Sequence, residues 1–271
     1  MPYKNKFPRT RLATIDLGIA ALRKHHVVSL LELDVTDARR EIRRWRRETG
    51  TQLSFNAWII KTVSRVLQDF PEAHAYRGYG RELTLFEHID ITVMVERLIE
   101  GSPVPLAYVI RDTEQKNPAQ ITAELEEIRA SAGQDTDVVL GRESGFLYNL
   151  YFILPGCVRR LFWKGLAYFP KFVQRQMGSA IITNIGMMGK VNGWFIPKTL
   201  HPVSVGIGSI VDKPGVVKGR VVPREILHMT VLLDHDVIDG AQMARFIQRL
   251  SNLIESGKIP VSYTHLTLPT N

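Results

Sequence analysis

The sequence predicts an α+β chain in which strand-forming runs are interspersed with amphipathic helices, and three stretches carry that expectation. Leu227 to Leu233 is an apolar run of strand length, and Ala244, Ile247, Leu250 and Ile254 follow it at helical spacing. Near the other end, Val27 to Leu33 reads as a strand and leads into a helix from Thr36 to Thr49. Pro202 to Ile210 is a third strand, punctuated by Gly206 and Gly208.

In chain order, Thr14 to Lys24 forms a short helix ahead of the strand at His26–Leu33. Thr36 is the expected N-cap of the next helix. That helix carries Arg39, Arg40, Arg43, Arg44, Arg46 and Arg47, with Ile42 and Trp45 as its apolar part. No zipper, zinc finger or helix-turn-helix pattern accompanies the arginines, so they read as a solvated face and not as a nucleic-acid site. Ser54 caps a third helix, whose apolar face runs from Trp58 and Ile59 through Val63, Val66 and Leu67 to Phe70, and Pro71 ends it. Leu83–Phe86, Ile89–Val95 and Pro105–Ile110 read as strands, and Pro118–Ala132 as a helix with Ile121, Leu125 and Ile128 on one side. Gly145 to Met177 is dense in aromatic and aliphatic residues interspersed with Arg159, Arg160, Lys164, Lys171 and Arg175. Packing, the lining of a pocket and a membrane interface all suit such a segment. Gly206 and Gly208 lack the third glycine and following helix of a dinucleotide loop.

Composition excludes more than it selects. The 271 residues are 45% apolar, with no run of membrane-span length and no secretory signal. The single cysteine, Cys157, excludes an intramolecular disulfide and fits a reducing compartment such as the cytoplasm. A net charge of +8 suits an anionic partner without choosing among phosphate-bearing ligands, membranes and nucleic acid. His25–His26 has no Cys or carboxylate at ligand spacing beside it, so no metal is expected.

The stretch with the most chemistry is His235-Asp236-Val237-Ile238-Asp239-Gly240, at the exit of a strand and the entry of a helix. Histidine titrates near neutrality and can take a proton from a thiol or hydroxyl. Asp239 can orient the ring or brace the loop, and Gly240 permits a tight turn. A core histidine beside a helix-capping aspartate is the plainer reading, and these six residues alone leave both open.

The longer pattern Asp234-His235-x-Val237-Ile238-Asp239-Gly240-Ala241-x-x-Ala244-Arg245-Phe246 resembles the C-terminal signature of the 2-oxoacid dehydrogenase acyltransferases, which share a fold with chloramphenicol acetyltransferase. That family usually has Arg directly after the histidine, where this chain has Asp236. Gly178-Ser-Ala-Ile-Ile-Thr183-Asn-Ile-Gly186-Met-Met-Gly189 is similar to a second family motif, and Thr183 falls on the serine whose hydroxyl stabilises the oxyanion. Weaker likenesses lie at Phe70-Pro71-Glu72, Gly101–Pro105 and Pro202–Ile210.

The resemblance spans residues 9 to 258. It implies a two-layer sandwich of the chloramphenicol acetyltransferase kind, with a mixed sheet and flanking helices, and strands near 26–34, 90–97, 105–110, 179–184, 203–210 and 225–234. It implies one catalytic domain over residues 1–258, interrupted by an insertion at 145–177, in a free-standing form without a lipoyl domain. Residues 261–271 match nothing in the family and read as a non-native tail. The implied chemistry is acyl transfer between a coenzyme A thioester and a thiol such as a dihydrolipoyl group on a separate protein, without metal. His235 is the general base, Thr183 the oxyanion donor, and Asp239 the brace of the loop, with Arg11 as a partner. The implied assembly is a homotrimer in which His235 and Thr183 come from different chains. Two readings of other classes stand beside it: a catalytically silent scaffold, favoured by Asp236, and a protein bound peripherally to a membrane through residues 145–177.

Overall fold

The structure, a computed structural model, describes residues 10–99, 102–130, 150–166, 168–186 and 191–258. Its elements in chain order are α1 (Thr10–Ala21), β1 (His26–Asp34), α2 (Thr36–Thr49), α3 (Phe55–Asp69), β2 (Tyr76–Arg77), β3 (Leu83–Thr84), β4 (Ile91–Ile99), β5 (Ser102–Ile110), α4 (Pro118–Ala130), α5 (Gly156–Leu166), α6 (Pro170–Met177), β6 (Ala180–Asn184), β7 (Val203–Val217), β8 (Arg220–Asp234) and α7 (Gly240–Glu255).

Six strands form one sheet in the order β1-β8-β7-β6-β4-β5. β6 runs parallel to both β4 and β7, and the other pairs are antiparallel. The sheet is therefore mixed, and all six expected strands lie in it. β2 and β3 form a separate two-stranded ribbon, so the strand expected over Leu83–Phe86 is shorter and lies outside the main sheet. The tail at 261–271 and all of 131–149 lie outside the described residues.

Alternation along the strands decides which side is covered. Val203, Val205 and Ile207 on β7, and Leu227, Met229, Val231 and Leu233 on β8, join the main core with Trp58, Ile59 and Val63 of α3 and Phe246 and Leu250 of α7. Each fully buried aliphatic side chain contributes roughly 1.5–3 kcal/mol, so this helix-covered face dominates the stability of the fold. The opposite face carries Thr183, Ser204, Gly206, Gly208, His228 and Thr230. The strap at residues 193–197 runs close against it. A Cβ on Gly206 would stand 3.0 Å from the Phe195 carbonyl oxygen, and one on Gly208 would stand 3.0 Å from that of Gly193. The two glycines let backbone lie on backbone there.

Local capping corrects one expectation. Thr36 is the first residue of α2, and its side chain does not cap the helix. The N-cap is Val35, which has no side-chain cap; one residue before it, Asp34 Oδ1 accepts from the Thr36 amide at 3.0 Å and the Thr36 hydroxyl at 2.7 Å. Ser54 caps α3 as expected, accepting from the Ala57 amide.

Two buried histidines make the fold acid-sensitive. His201 Nε2 donates to the Met177 carbonyl at 2.6 Å, which leaves Nδ1 to accept from the Thr199 hydroxyl, also at 2.6 Å. Burial lowers His201 to about 4 and His74 likewise to about 4. The unfolded chain takes up these protons below about pH 6.5, while the folded chain refuses them until about 4. Their contribution is thus complete above pH 6.5 and lost as pH falls from there to 4, at about 3 kcal/mol each. Urea unfolding at pH 7.5 and pH 4.5 should differ by several kcal/mol, and His201→Gln should flatten the dependence.

Candidate active site

β8 delivers His235. The strand ends at Asp234, which faces His26 across the sheet, and the chain then turns through 235–239 into α7. Val237 and Ile238 are buried and pin the turn to the main core. The His235 amide donates to the His25 carbonyl at 3.0 Å, and the Val237 amide to the Asp234 carbonyl at 3.2 Å. The backbone at His235 is fixed on both sides while its side chain is exposed. Among the described residues, no hydrogen bond or ion pair occupies the His235 ring.

The brace of this turn is Asp234, which lies in the stretch that the sequence singled out but is not one of the residues given a role there. Its carboxylate is fully buried and meets Lys24 Nζ at 2.6 Å. Its other oxygen accepts from the Asp236 amide at 3.2 Å. A buried carboxylate needs such partners, because an unpaired charge there is strongly disfavoured. Asp236, the residue at which this chain departs from the family pattern, accepts from His25 Nδ1 at 2.9 Å and lies 4.0 Å from Arg77. His26 Nε2 donates to the His201 carbonyl at 2.9 Å. Both rings of the His25–His26 pair thus have a partner within the chain, that of His25 at the surface.

Asp239 stands at the N-cap of α7 in extended backbone and its side chain makes no capping bond. It is exposed, as is Arg11, and within the chain no ion pair joins them among the described residues. Gly240 does not make the turn that the sequence suggests. It is the first residue of α7, lies outside the positive-φ glycines, and a Cβ there would meet open space. The turn is closed by Asp234 and by the buried Val237 and Ile238 instead.

Thr183 is on β6, level with Gly206 of β7, which is level with Thr230 of β8 and, one strand further, with Leu30 of β1. The hydroxyls of Thr183, Thr230 and Ser204 are all buried without a hydrogen-bond partner among the described residues. Buried polar atoms are ordinarily satisfied, so a cluster of three free hydroxyls on one sheet face is unusual and needs an explanation. His228 joins them under Trp194, with ring centroids 4.5 Å apart; its Nδ1 has no hydrogen-bond partner among the described residues, and its Nε2 lies 3.6 Å from Glu32 Oε1. Burial is the first cause that lowers its pKa.

The same register separates the two residues within one chain. His235 lies five positions beyond Thr230 and two strands away from Thr183. At about 3.3 Å per residue and about 4.8 Å per strand, that is roughly 17 Å along the sheet and roughly 10 Å across it, a separation on the order of 20 Å. One chain does not bring His235 to Thr183. The β1 side chains beside this face, Val28 and Leu30, are exposed.

Elsewhere among the described residues, His88, Asp112 and Glu114 bring three ligand-type atoms within 4.8 Å of one another. His88 Nδ1 lies 3.0 Å from Asp112 and 3.1 Å from Glu114, an arrangement accounted for by ion pairing. No helix among the described residues is long and apolar enough to cross a membrane.

The sequence pattern of the 2-oxoacid dehydrogenases acyltransferase (catalytic domain) family matches residues 18–136 and 171–259, passing over 137–170. The dihydrolipoyllysine-residue acetyltransferase component of the pyruvate dehydrogenase complex of Staphylococcus aureus is 23% identical over 240 residues, covering 86% of this chain and 47% of that protein. The chain thus spans about half the length of the curated relatives it matches. The solved structure of a probable dihydrolipoamide acetyltransferase from Listeria monocytogenes superposes with a TM-score of 0.67 at 19% identity, covering 98% of each chain. The cubic core of a pyruvate dehydrogenase multienzyme complex superposes with a TM-score of 0.66 at 20% identity, covering 93% of this chain and 92% of that one.

Proposed function

The chain belongs to the 2-oxoacid dehydrogenase acyltransferase catalytic-domain family, and from that premise we propose that it moves an acyl group between a coenzyme A thioester and a thiol, at sites shared by neighbouring subunits of a trimer. The observation that carries this reading is a pair of groups without partners among the described residues: an exposed His235 ring on a turn fixed through its backbone, and a buried Thr183 hydroxyl. The thiol is a dihydrolipoyl group, and a reducing compartment such as the cytoplasm keeps it in the thiol form.

The chemistry follows from what each group can do. A thiol of pKa about 8.5 is mostly protonated at neutral pH, so a base raises its reactivity. His235 takes the thiol proton, and the sulfur attacks the thioester carbonyl. The C–O double bond becomes a C–O⁻ single bond, and the oxyanion accepts a hydrogen bond from the Thr183 hydroxyl of the neighbouring subunit. Collapse of the tetrahedral intermediate breaks the bond to coenzyme A. Its sulfur leaves with the electron pair and takes the proton back from His235. Asp239 steadies the loop across the assembled site, where Arg11 of this chain or of a neighbour is a partner. Because Thr183 and His235 are separated by on the order of 20 Å within a chain, the site needs a second copy to close.

A mixing experiment tests the shared site. His235→Ala and Thr183→Ala are each expected to be nearly inactive in a coenzyme A release assay with an acyl-CoA and dihydrolipoamide. Co-refolded in equal amounts, they should recover about a quarter of wild-type activity, since a site forms wherever an intact His235 meets an intact Thr183. No recovery on mixing would overturn the shared site. Thr183→Ser should keep most activity by retaining the donor.

A further inference from the structure

We propose that the outer face of α5 and α6 is a docking surface for an anionic lipid bilayer. Each helix has two faces. Arg159, Trp163 and Leu166 turn inward on α5, and Val173 and Met177 turn inward on α6. Trp163, Val173 and Met177 share one small core with Tyr76, against which Leu166 packs. The opposite faces therefore both point away from that core. On α5 the outward positions are Val158, Leu161 and Phe162, at the spacing of one helical stripe. Phe169 and Phe172 do the same at α6. Leu161 is 67% exposed and Phe169 64%, values far outside the ordinary burial of such large apolar side chains.

The face is built and held in place. Asp16 of α1 is buried, and its Oδ2 accepts from Arg159 Nε at 2.7 Å and from the Tyr151 hydroxyl at 2.9 Å. Trp163 Nε1 donates to the same Tyr151 oxygen at 3.0 Å. This network fastens the inner side of α5 to the body of the protein, so the exposed side chains sit on a fixed helix.

Charge identifies the occupant. Residues 150–177 contain five basic residues and no acidic one. Arg159 is neutralised by Asp16. Among the described residues, no carboxylate pairs with Arg160, Lys164, Lys171 or Arg175. Long basic side chains beside apolar ones suit the boundary between phosphate headgroups and acyl chains, where stems lie along hydrocarbon and charges reach phosphate. A second copy of this chain would bring a like-charged face against it, which is unfavourable. Residues 137–170 also lie outside the part that matches the family pattern, so the shared acyl-transfer chemistry does not call for α5. The proposal is independent of the catalytic reading, and its test reads binding alone.

The test is flotation of the full chain with vesicles containing phosphatidylglycerol, against vesicles of phosphatidylcholine alone. Binding is expected only to the anionic vesicles, and should fall steeply with added salt. Lys164→Glu and Lys171→Glu should each weaken it by roughly fivefold or more. The triple variant Leu161→Ser, Phe169→Ser, Phe172→Ser should abolish it with an unchanged melting temperature. If the triple variant does not fold, Phe169→Ser alone should weaken binding severalfold. Failure to float with anionic vesicles, or equal binding by wild type and these variants, would overturn the proposal. So would a change in oligomeric state in the variants without vesicle binding by the wild type, which would make the face a contact between copies.

Discussion

His235→Ala should lower kcat by roughly 10²–10⁴, the usual worth of a positioned general base, with little effect on the fold. The ring is exposed and holds no partner among the described residues, so its removal opens no cavity. The turn keeps its hydrogen bond from the residue 235 amide to the His25 carbonyl, which alanine preserves. The loss should appear in single-turnover coenzyme A release as well as in steady state, because the missing step is proton transfer from the thiol. A more basic reaction medium, which ionises the thiol without help, should narrow the gap between variant and wild type. Equal rates at neutral pH would remove the acyltransferase reading and leave a binding scaffold on the same fold.

Asp234→Ala should destabilise the protein by roughly 3 kcal/mol or more, the lower end for breaking a buried ion pair, since Lys24 keeps some contact with solvent. The same carboxylate holds the Asp236 amide, so the turn that carries His235 loosens with it. Activity should therefore fall further than lost folded protein explains. Denaturant unfolding gives the first effect, and kcat per folded site at low temperature gives the second. Lys24→Met alone should also destabilise. Added to Asp234→Ala it should cost little more, because the two residues act as one unit. A loss below about 1 kcal/mol for Asp234→Ala would mean the pair behaves like an exposed one.

Much of this was legible in the chain before any coordinates. The six strands of the main sheet announce themselves as β-branched and apolar runs of strand length, and the helices over the core announce themselves by periodicity. His235 was legible because it breaks an apolar run where a strand must end. The strand order was not, since β1 pairs with β8 from the far end of the chain, a contact that no local pattern encodes. For the same reason Lys24 carried no signal. It meets Asp234 only because β1 and β8 are neighbours, and the two residues are 210 positions apart. Threonine suits a cap by composition, but α2 begins one residue earlier than that pattern suggests: Val35 holds the N-cap position, and the Thr36 hydroxyl donates to Asp34 instead. Gly240 looked like a turn residue by composition, but burial of Val237 and Ile238 closes the turn without it. Gly206 and Gly208 were visible as punctuation, but their reason, the strap lying across them, is a tertiary fact.

The pairing of β1 with β8 also sets the order of events during synthesis. β7 and β8 are joined by a short turn and can zip together as soon as both exist. β1 must wait for a partner made about two hundred residues later, an interval of roughly 10–40 s at ordinary translation rates. Until then both of its backbone edges are bare, the kind of surface that chaperones cover and that aggregates recruit, and one of them stays bare in the finished sheet, where β1 is the terminal strand. Contacts of such long sequence separation are slow to form. The turn that carries His235, tied to the start of β1 through His25 and Lys24, is consequently among the last parts of the molecule to acquire its shape.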